Sequence, residues 1–245
     1  MQVTVFNGSP RGPKSNSHLI AKALLEGARQ AGAQTEEVFL IQQDIKHCRG
    51  CFSCWGNTPG ICIIKDDMAA LMDLYLESDY VGMATPVYGM LMTGLLKNFT
   101  DRFLPLATPH IRKNEDGSFY HQGRVKHFPR QFFVANSGFP GAHNFDLLKA
   151  YYEMAKKAGE SPIVLEVYRN CGEALQDPRG YDGPIREKID QFYHALKKAG
   201  SEMVAKGRVS EDTVKEIHIE LMDDEAYMAE ANRYWDGQIQ ETKDQ

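Results

Sequence analysis

Cys48, Cys51, Cys54 and Cys62 form a C-x2-C-x2-C-x7-C run within KHCRGCFSCWGNTPGIC. Three thiols at two-residue gaps can wrap one face of a cubane cluster, and a fourth can arrive from further along; ferredoxin-type sites use three cysteines at the same gaps. Structural zinc more often uses two separated C-x-x-C pairs. A disulfide framework is disfavoured in a reducing compartment. The residues alone leave open a cluster, a zinc ion, free thiols or packing. The neighbouring Asp44, Lys46, His47 and Trp55 read as surface and packing residues. Cys171, after the last apolar run, reads as a buried small hydrophobe.

The second candidate for chemistry is the loop GSPRGPKSNS, residues 8–17. An apolar run at residues 3–6 precedes it and a helical pattern with Leu19, Ile20, Ala23 and Leu24 on one face follows it. Unpaired N–H groups and the dipole at a helix N-terminus attract anions. Ser9, Ser15 and Ser17 add hydroxyl donors, Asn16 an amide, and Arg11 a forked cation suited to phosphate. The loop has neither G-x-x-x-x-G-K-[ST] nor G-x-G-x-x-G, which excludes a P-loop and a dinucleotide fingerprint. Hydroxyls in place of glycines suit a terminal phosphate monoester. The alternative is an ordinary strand-to-helix turn with Ser17 as N-cap.

Two later segments resemble this loop in lying after apolar runs. TPVYGM, residues 85–90, follows residues 80–84, and NSGFPGAH, residues 136–143, follows residues 131–135. In the first, Pro86 limits local freedom, Gly89 permits close backbone approach, and Tyr88 and Met90 can offer an aromatic face and a polarizable sulfur to a flat ring. Val87 lies between them. In the second, Ser137, Gly138 and Phe139 serve in the same role.

The elements that must position these loops alternate. Strands are expected at residues 3–6, 35–40, 80–84, 131–135 and 162–167. Helices are expected at 17–31 (closing at Gly32), from Asp66-Asp67 through Tyr75, within 85–103, and at 145–157 and 185–206. This alternation predicts an α/β fold: a doubly wound five-stranded parallel sheet with helices on both faces. Ligands in such sheets bind beyond the carboxyl ends of the strands, at the switch point. Residues 41–64 form a cysteine-rich insertion. Residues 104–130 read as irregular and polar. Residues 211–235 read as an acidic helix, with Ile217, Leu221, Tyr227 and Met228 as apolar contacts. The expected division is a domain at 1–207 and a C-terminal helical extension at 208–245.

Composition narrows the partners. The 245 residues are 42% hydrophobic and 25% charged, with a formal net charge of −5, ordinary for a globular protein. The absence of a long basic stretch argues against nucleic acid. No apolar run approaches a membrane span and no signal-peptide pattern opens the chain, so a cytoplasmic protein without a membrane partner is expected.

GSPRGPKSNSH and TPVYGMLMTGLLKNFTDRF together resemble the FMN-binding signatures of the flavodoxin-like NAD(P)H-dependent FMN reductases, over roughly residues 1–167. The resemblance implies a flavodoxin-like fold. It implies FMN with its phosphate on Ser9, Arg11, Ser15, Asn16 and Ser17, and its ring held by Pro86, Val87, Tyr88, Gly89 and Met90 with Ser137, Gly138 and Phe139. It also implies NAD(P)H as co-substrate, a small-molecule or protein electron acceptor, and a homodimer or homotetramer. The cysteine run resembles that of the iron–sulfur flavoproteins, a subfamily with the same core, which implies a 4Fe-4S cluster on Cys48, Cys51, Cys54 and Cys62. The expected function is an FMN-dependent oxidoreductase. The alternatives are an electron carrier or redox sensor fed by a protein donor, and a zinc-stapled binding protein without flavin. No catalytic acid or base is expected; His110, His121, His127 and His143 read as surface residues.

Overall fold

The computed structural model describes residues 1–158, 161–176, 181 and 183–243. The remaining residues of the expected domain and extension lie outside that description. In chain order the elements are β1 (Gln2–Asn7), α1 (Asn16–Gln30), β2 (Gln34–Phe39), α2 (Met68–Glu77), β3 (Tyr80–Pro86), α3 (Gly94–Asp101), β4 (Ala107–Lys113), β5 (Phe119–Gly123), β6 (Arg130–Asn136), α4 (Asp146–Ala158), β7 (Ile163–Arg169), α5 (Pro184–Lys206), α6 (Glu211–Ile217) and α7 (Asp224–Lys243).

Five strands form one parallel sheet in the order β2-β1-β3-β6-β7. With the β4–β5 hairpin set aside, this is the 2-1-3-4-5 order of flavodoxin-like folds, whose switch point lies between the first and third strands. Alternate side chains feed two cores, as strand geometry requires. Val3, Val5, Phe132 and Val134 join α1 and α5 on one face. Phe6, Val81, Met83 and Phe133 join α2, α3 and α4 on the other.

The α1–α5 crossing explains two glycines. A Cβ on Gly27 would stand 1.8 Å from the Lys197 carbonyl oxygen, and one on Gly200 would stand 2.0 Å from that of Leu24. Each helix therefore lays its backbone against the other.

Several boundaries differ from expectation. The N-cap of α1 is Ser15 rather than Ser17: the Ser15 hydroxyl accepts the His18 N–H at 3.1 Å. The expected irregular stretch 104–130 contains the antiparallel β4–β5 hairpin. Its side chains are mostly exposed on both faces, so no apolar alternation announces it. The single helix expected at 211–235 is two helices, α6 and α7. Between them, buried Arg169 donates to the carbonyl oxygens of Ile217 and Ile219. Ile217, Leu221 and Tyr227 pack into the core as expected. Met228 instead faces solvent. No helix among the described residues is long and apolar enough to cross a membrane.

Candidate functional site

The loops after β1, β3 and β6 meet at the carboxyl edge of the sheet. The first is fixed from below. Gly8 N–H donates to the Ala84 carbonyl of β3 at 2.8 Å, and Ser9 N–H donates to Asn7 Oδ1 at 2.9 Å. Asn7 Nδ2 in turn donates to Glu37 Oε1 at 2.8 Å, while Glu37 Oε2 lies 2.7 Å from His18 Nδ1. Burial pushes the Glu37 carboxyl above its ordinary value, against the pull of Asn7 and His18. This network holds the turn into α1. Ser9, Ser15, Asn16 and Ser17 are all buried there, around the free N–H groups of a helix start.

The second loop is a tight turn. Tyr88 N–H donates to Leu91 O at 2.9 Å and Leu91 N–H returns to Tyr88 O at 3.2 Å. Gly89 and Met90 between them have φ of 56° and 68°, the left-handed pair that a two-residue turn of this hand needs. Glycine takes this freely, whereas Met90 is held there at a cost. Tyr88 and Met90 stand half-exposed at 50% and 51%. The chain then locks onto the first loop through Thr93, the N-cap of α3. Its hydroxyl donates to the Gly8 carbonyl at 2.6 Å and accepts the Leu96 N–H at 3.3 Å.

The third loop begins at Asn136, whose Nδ2 donates to Ser17 Oγ at 2.7 Å. Ser137 Oγ accepts the Phe139 N–H at 3.0 Å, which leaves Phe139 69% exposed beyond it.

Together the three loops enclose a cavity of about 120 Å³. Ser9, Arg11, Ser15, Asn16 and Ser17 line one side; Pro86, Val87, Tyr88 and Gly138 line the other, with Asn136 and Glu173. Whole small ligands fill roughly 300–1,000 Å³, so this cavity suits one polar end of a ligand. Gly89, Met90, Ser137 and Phe139 do not line it. Arg11 is already paired: its Nη1 donates to Glu173 Oε1 at 2.8 Å. Arg11, Gly138, Phe139 and Glu173 border a second, larger cavity of about 710 Å³. Tyr181 and, from α7, Tyr227, Tyr234 and Trp235 close its other side.

The four cysteines lie apart from these loops, over the carboxyl end of α3. All are free thiols, and all four border one small cavity with Arg102. Cys54 is buried, Cys62 half-buried, and Cys48 and Cys51 exposed. Burial raises the Cys54 thiol, and the neighbouring Cys62 raises it further; hydrogen bonds from Ser53 lower that of Cys51. Among the described residues, no three His, Cys, Asp or Glu side chains converge on a point that one metal ion would occupy.

Residues 1–116 match the NADPH-dependent FMN reductase family. The chain is 39% identical to an iron–sulfur flavoprotein of Archaeoglobus fulgidus over 119 residues, 48% of this chain and 53% of that one. It is 32% identical to an iron–sulfur flavoprotein of Methanocaldococcus jannaschii over 209 residues, 81% of this chain and 98% of that one. This chain belongs to the iron–sulfur flavoprotein family. The match spans about half the length of the Archaeoglobus relative and nearly all of the Methanocaldococcus one. An FMN-dependent NADH-azoreductase of Bacillus anthracis, solved in complex with FMN, shares the fold: TM-score 0.54, 15% identity, 83% of this chain and 99% of that chain.

In this iron–sulfur flavoprotein family member, four site residues act through partners too distant in sequence for their roles to be read from it. Asn136, Glu173, Thr93 and Arg102 act through partners 119, 162, 85 and 36 to 56 positions away. Thr93 alone has a local cue, as a threonine before an apolar helical run.

Proposed function

We propose that this chain is an FMN-dependent oxidoreductase, taking electrons from NAD(P)H and passing them to a small-molecule or protein acceptor. The observation that carries the reading is the buried hydroxyl cavity at the β1–β3 switch point, beneath two loops with exposed aromatic and sulfur side chains. The donor set fits a phosphate monoester: the Ser9 and Ser17 hydroxyls, the Asn16 amide and the helix N-terminus surround a space of that size, while Ser15, whose hydroxyl donates to the Gly12 carbonyl at 2.7 Å, lines it as the N-cap. Arg11 supplies the cation. Tyr88 and Met90 offer an apolar face to a ring, and Ser137, Gly138 and Phe139 border it from the opposite loop.

FMN, when bound, supplies hydride and single-electron chemistry. The protein binds, orients and shields. The Asn7–Glu37–His18 network keeps the Ser9 N–H and the loop in place, and Thr93 ties the ring side to the phosphate side. No protein acid or base is required.

The C-x2-C-x2-C spacing, with a fourth thiol further along and all four around one cavity, suits a 4Fe-4S cluster. A cubane takes each thiolate on a different iron, so its ligands stand farther apart than those of one metal ion. All four cysteines border one cavity, which brings the ligand set together. In this reading Cys48, Cys51, Cys54 and Cys62 hold the cluster, residues 1–207 form the FMN domain and residues 208–245 an extension. Free thiols suit a reducing, cytoplasmic setting. Exposed Phe139, Tyr234 and Trp235 near the loops suit a homodimer or homotetramer.

Anaerobic purification followed by flavin, iron and sulfide analysis tests both groups. Bound FMN with iron and sulfide is expected. A colourless protein that does not quench added FMN fluorescence overturns the flavin reading. Turnover with NADH or NADPH is expected as well; FMN that neither reduces indicates a carrier fed by a protein donor.

A further inference from the structure

Arg102 caps the C-terminus of α3, and its side chain turns inward until only 1% of it is exposed. Its partner Asp66 is 0% exposed. The fork is used on three sides. Nη1 donates to Asp66 Oδ2 at 2.5 Å and to the Lys46 carbonyl at 2.6 Å. Nη2 donates to Asp66 Oδ1 at 3.1 Å and to Cys62 Sγ at 3.4 Å. Asp66 is held independently by the N–H groups of Lys46 at 2.9 Å and Met68 at 3.2 Å. Four of the five N–H donors are thereby placed; Nε alone has no partner.

A guanidinium this deep costs several kcal/mol of lost hydration, and the pair gains no stability that an apolar pair could not supply. Its position suggests what it does. Cys62 is the cysteine set apart from the tight C-x2-C-x2-C run, so the backbone turn that holds the first three does not hold it. The Arg102 fork joins Cys62 to Lys46, at the opposite end of the cysteine insertion, and to α3.

We propose that Arg102 is a positioning residue that orients Cys62 as the fourth cluster ligand and sets the reduction potential of the cluster by donating to that sulfur. The proposal rests on the cluster reading above. A hydrogen bond and a positive charge at a ligand sulfur withdraw electron density and favour the more negative, reduced cluster. Loss of the donor therefore lowers the potential. Lysine keeps the charge but cannot span the fork; glutamine loses both charge and fork.

The experiment uses the full chain, loaded with FMN and reconstituted anaerobically with iron and sulfide. Wild type, Arg102→Lys and Arg102→Gln are compared by FMN content, iron and sulfide content, and a redox titration followed by electron paramagnetic resonance. The potential is expected to fall from wild type to Lys to Gln. The Gln variant should show about a tenfold lower reduced-to-oxidised ratio at fixed poise, or about 59 mV for one electron. FMN content serves as the check on folding, because the flavin loops lie elsewhere. Should Arg102→Gln lose its FMN, Arg102→Lys decides. A loaded variant with wild-type potential overturns the proposal and leaves the cluster reading intact. A variant that keeps FMN but loses iron supports the orienting role. Wild type that takes up FMN but neither iron nor sulfide overturns the cluster reading, and this proposal with it.

Discussion

Asn136 and Ser17 are joined side chain to side chain, Nδ2 to Oγ at 2.7 Å, with both residues buried. One ends β6 and the other lies in the first turn of α1, so this bond ties the ring-side loop to the phosphate-side loop. Asn136 also accepts Val87 N–H at its carbonyl at 2.8 Å, which brings in the second loop, after β3. Asn136→Ala removes only the side-chain tie. FMN affinity should fall about tenfold, equivalent to about 1.4 kcal/mol and near the worth of one buried hydrogen bond. Fluorescence quenching titration measures it; an unchanged dissociation constant would show that Ser17 is placed without this bond.

Ser9 is 1% exposed and lines the small cavity. Ser9→Asp sets a carboxylate where the phosphate of FMN would sit. Like charges about 4 Å apart repel by about 4 kcal/mol at an effective dielectric near 20, so flavin should be absent from the purified variant. The corresponding Ser9→Ala loses one donor and should retain flavin with a weaker dissociation constant. Full flavin content in Ser9→Asp would move the phosphate site elsewhere.

Glu173 pairs with Arg11 at 2.8 Å on the rim of the same cavity. The bound phosphate must compete with this carboxylate for the guanidinium. Glu173→Gln should tighten FMN binding, by up to roughly fivefold because both groups are half-exposed and such pairs are worth about 0–1 kcal/mol. Raising salt should erase the gain, since the Debye length shrinks to about 3 Å at 1 M. Weaker binding in Glu173→Gln would instead give Glu173 a direct contact with the ligand.

The fold was legible where burial and local pattern agree. Val3–Phe6 and Tyr80–Ala84 are solid apolar runs because both sheet faces are covered, and the loops after them announce themselves by Gly, Ser and Pro. Ser15 and Ser17 compete as caps within two residues, and only the His18 N–H geometry decides for Ser15. The β4–β5 hairpin buries too little to leave an alternating pattern. The break after Ile217 depends on Arg169, 48 positions earlier. Candidate loops could be named from sequence for the same reason that their wiring could not: donors cluster locally, but Glu37, Thr93, Asn136 and Arg102 find partners far away in the chain.

Gly200 tests the packing beneath the site. A Cβ there meets Leu24 O at 2.0 Å, Ala28 N at 2.9 Å and Leu24 C at 3.0 Å. All three are backbone of α1, so no side chain can swing away and the helices must part. Alanine gains about 1 kcal/mol in helix propensity, but overpacking of this kind costs about 3 kcal/mol or more. Gly200→Ala should therefore unfold at clearly lower urea concentration. Because α1 carries Asn16 and Ser17 at its other end, weakened FMN binding should accompany it.

Glu202 supplies the acid limb of the stability profile. Oε2 accepts Ser210 N–H at 2.9 Å, and Oε1 accepts from Lys206 Nζ at 3.0 Å and Ser210 Oγ at 3.2 Å. The carboxylate thereby fixes the turn that starts α6. Burial alone would raise its pKa, but the Ser210 N–H, the Lys206 ammonium and the hydroxyls of Ser210 and Thr213 bring it down to about 2 from its ordinary 4.5. A carboxyl with a depressed folded-state pKa contributes its stability above the unfolded value. That contribution is complete above about pH 5 and is lost as pH falls from about 4.5 to about 2. Glu202→Gln should cost about 1.5–3 kcal/mol at pH 7, the range for hydrogen bonds to a charged group. Below pH 2 the variant and the wild type should converge. Urea unfolding at pH 7, 4 and 2 measures the gap, and a gap that stays constant across the three would assign the stability to packing rather than to the carboxylate charge.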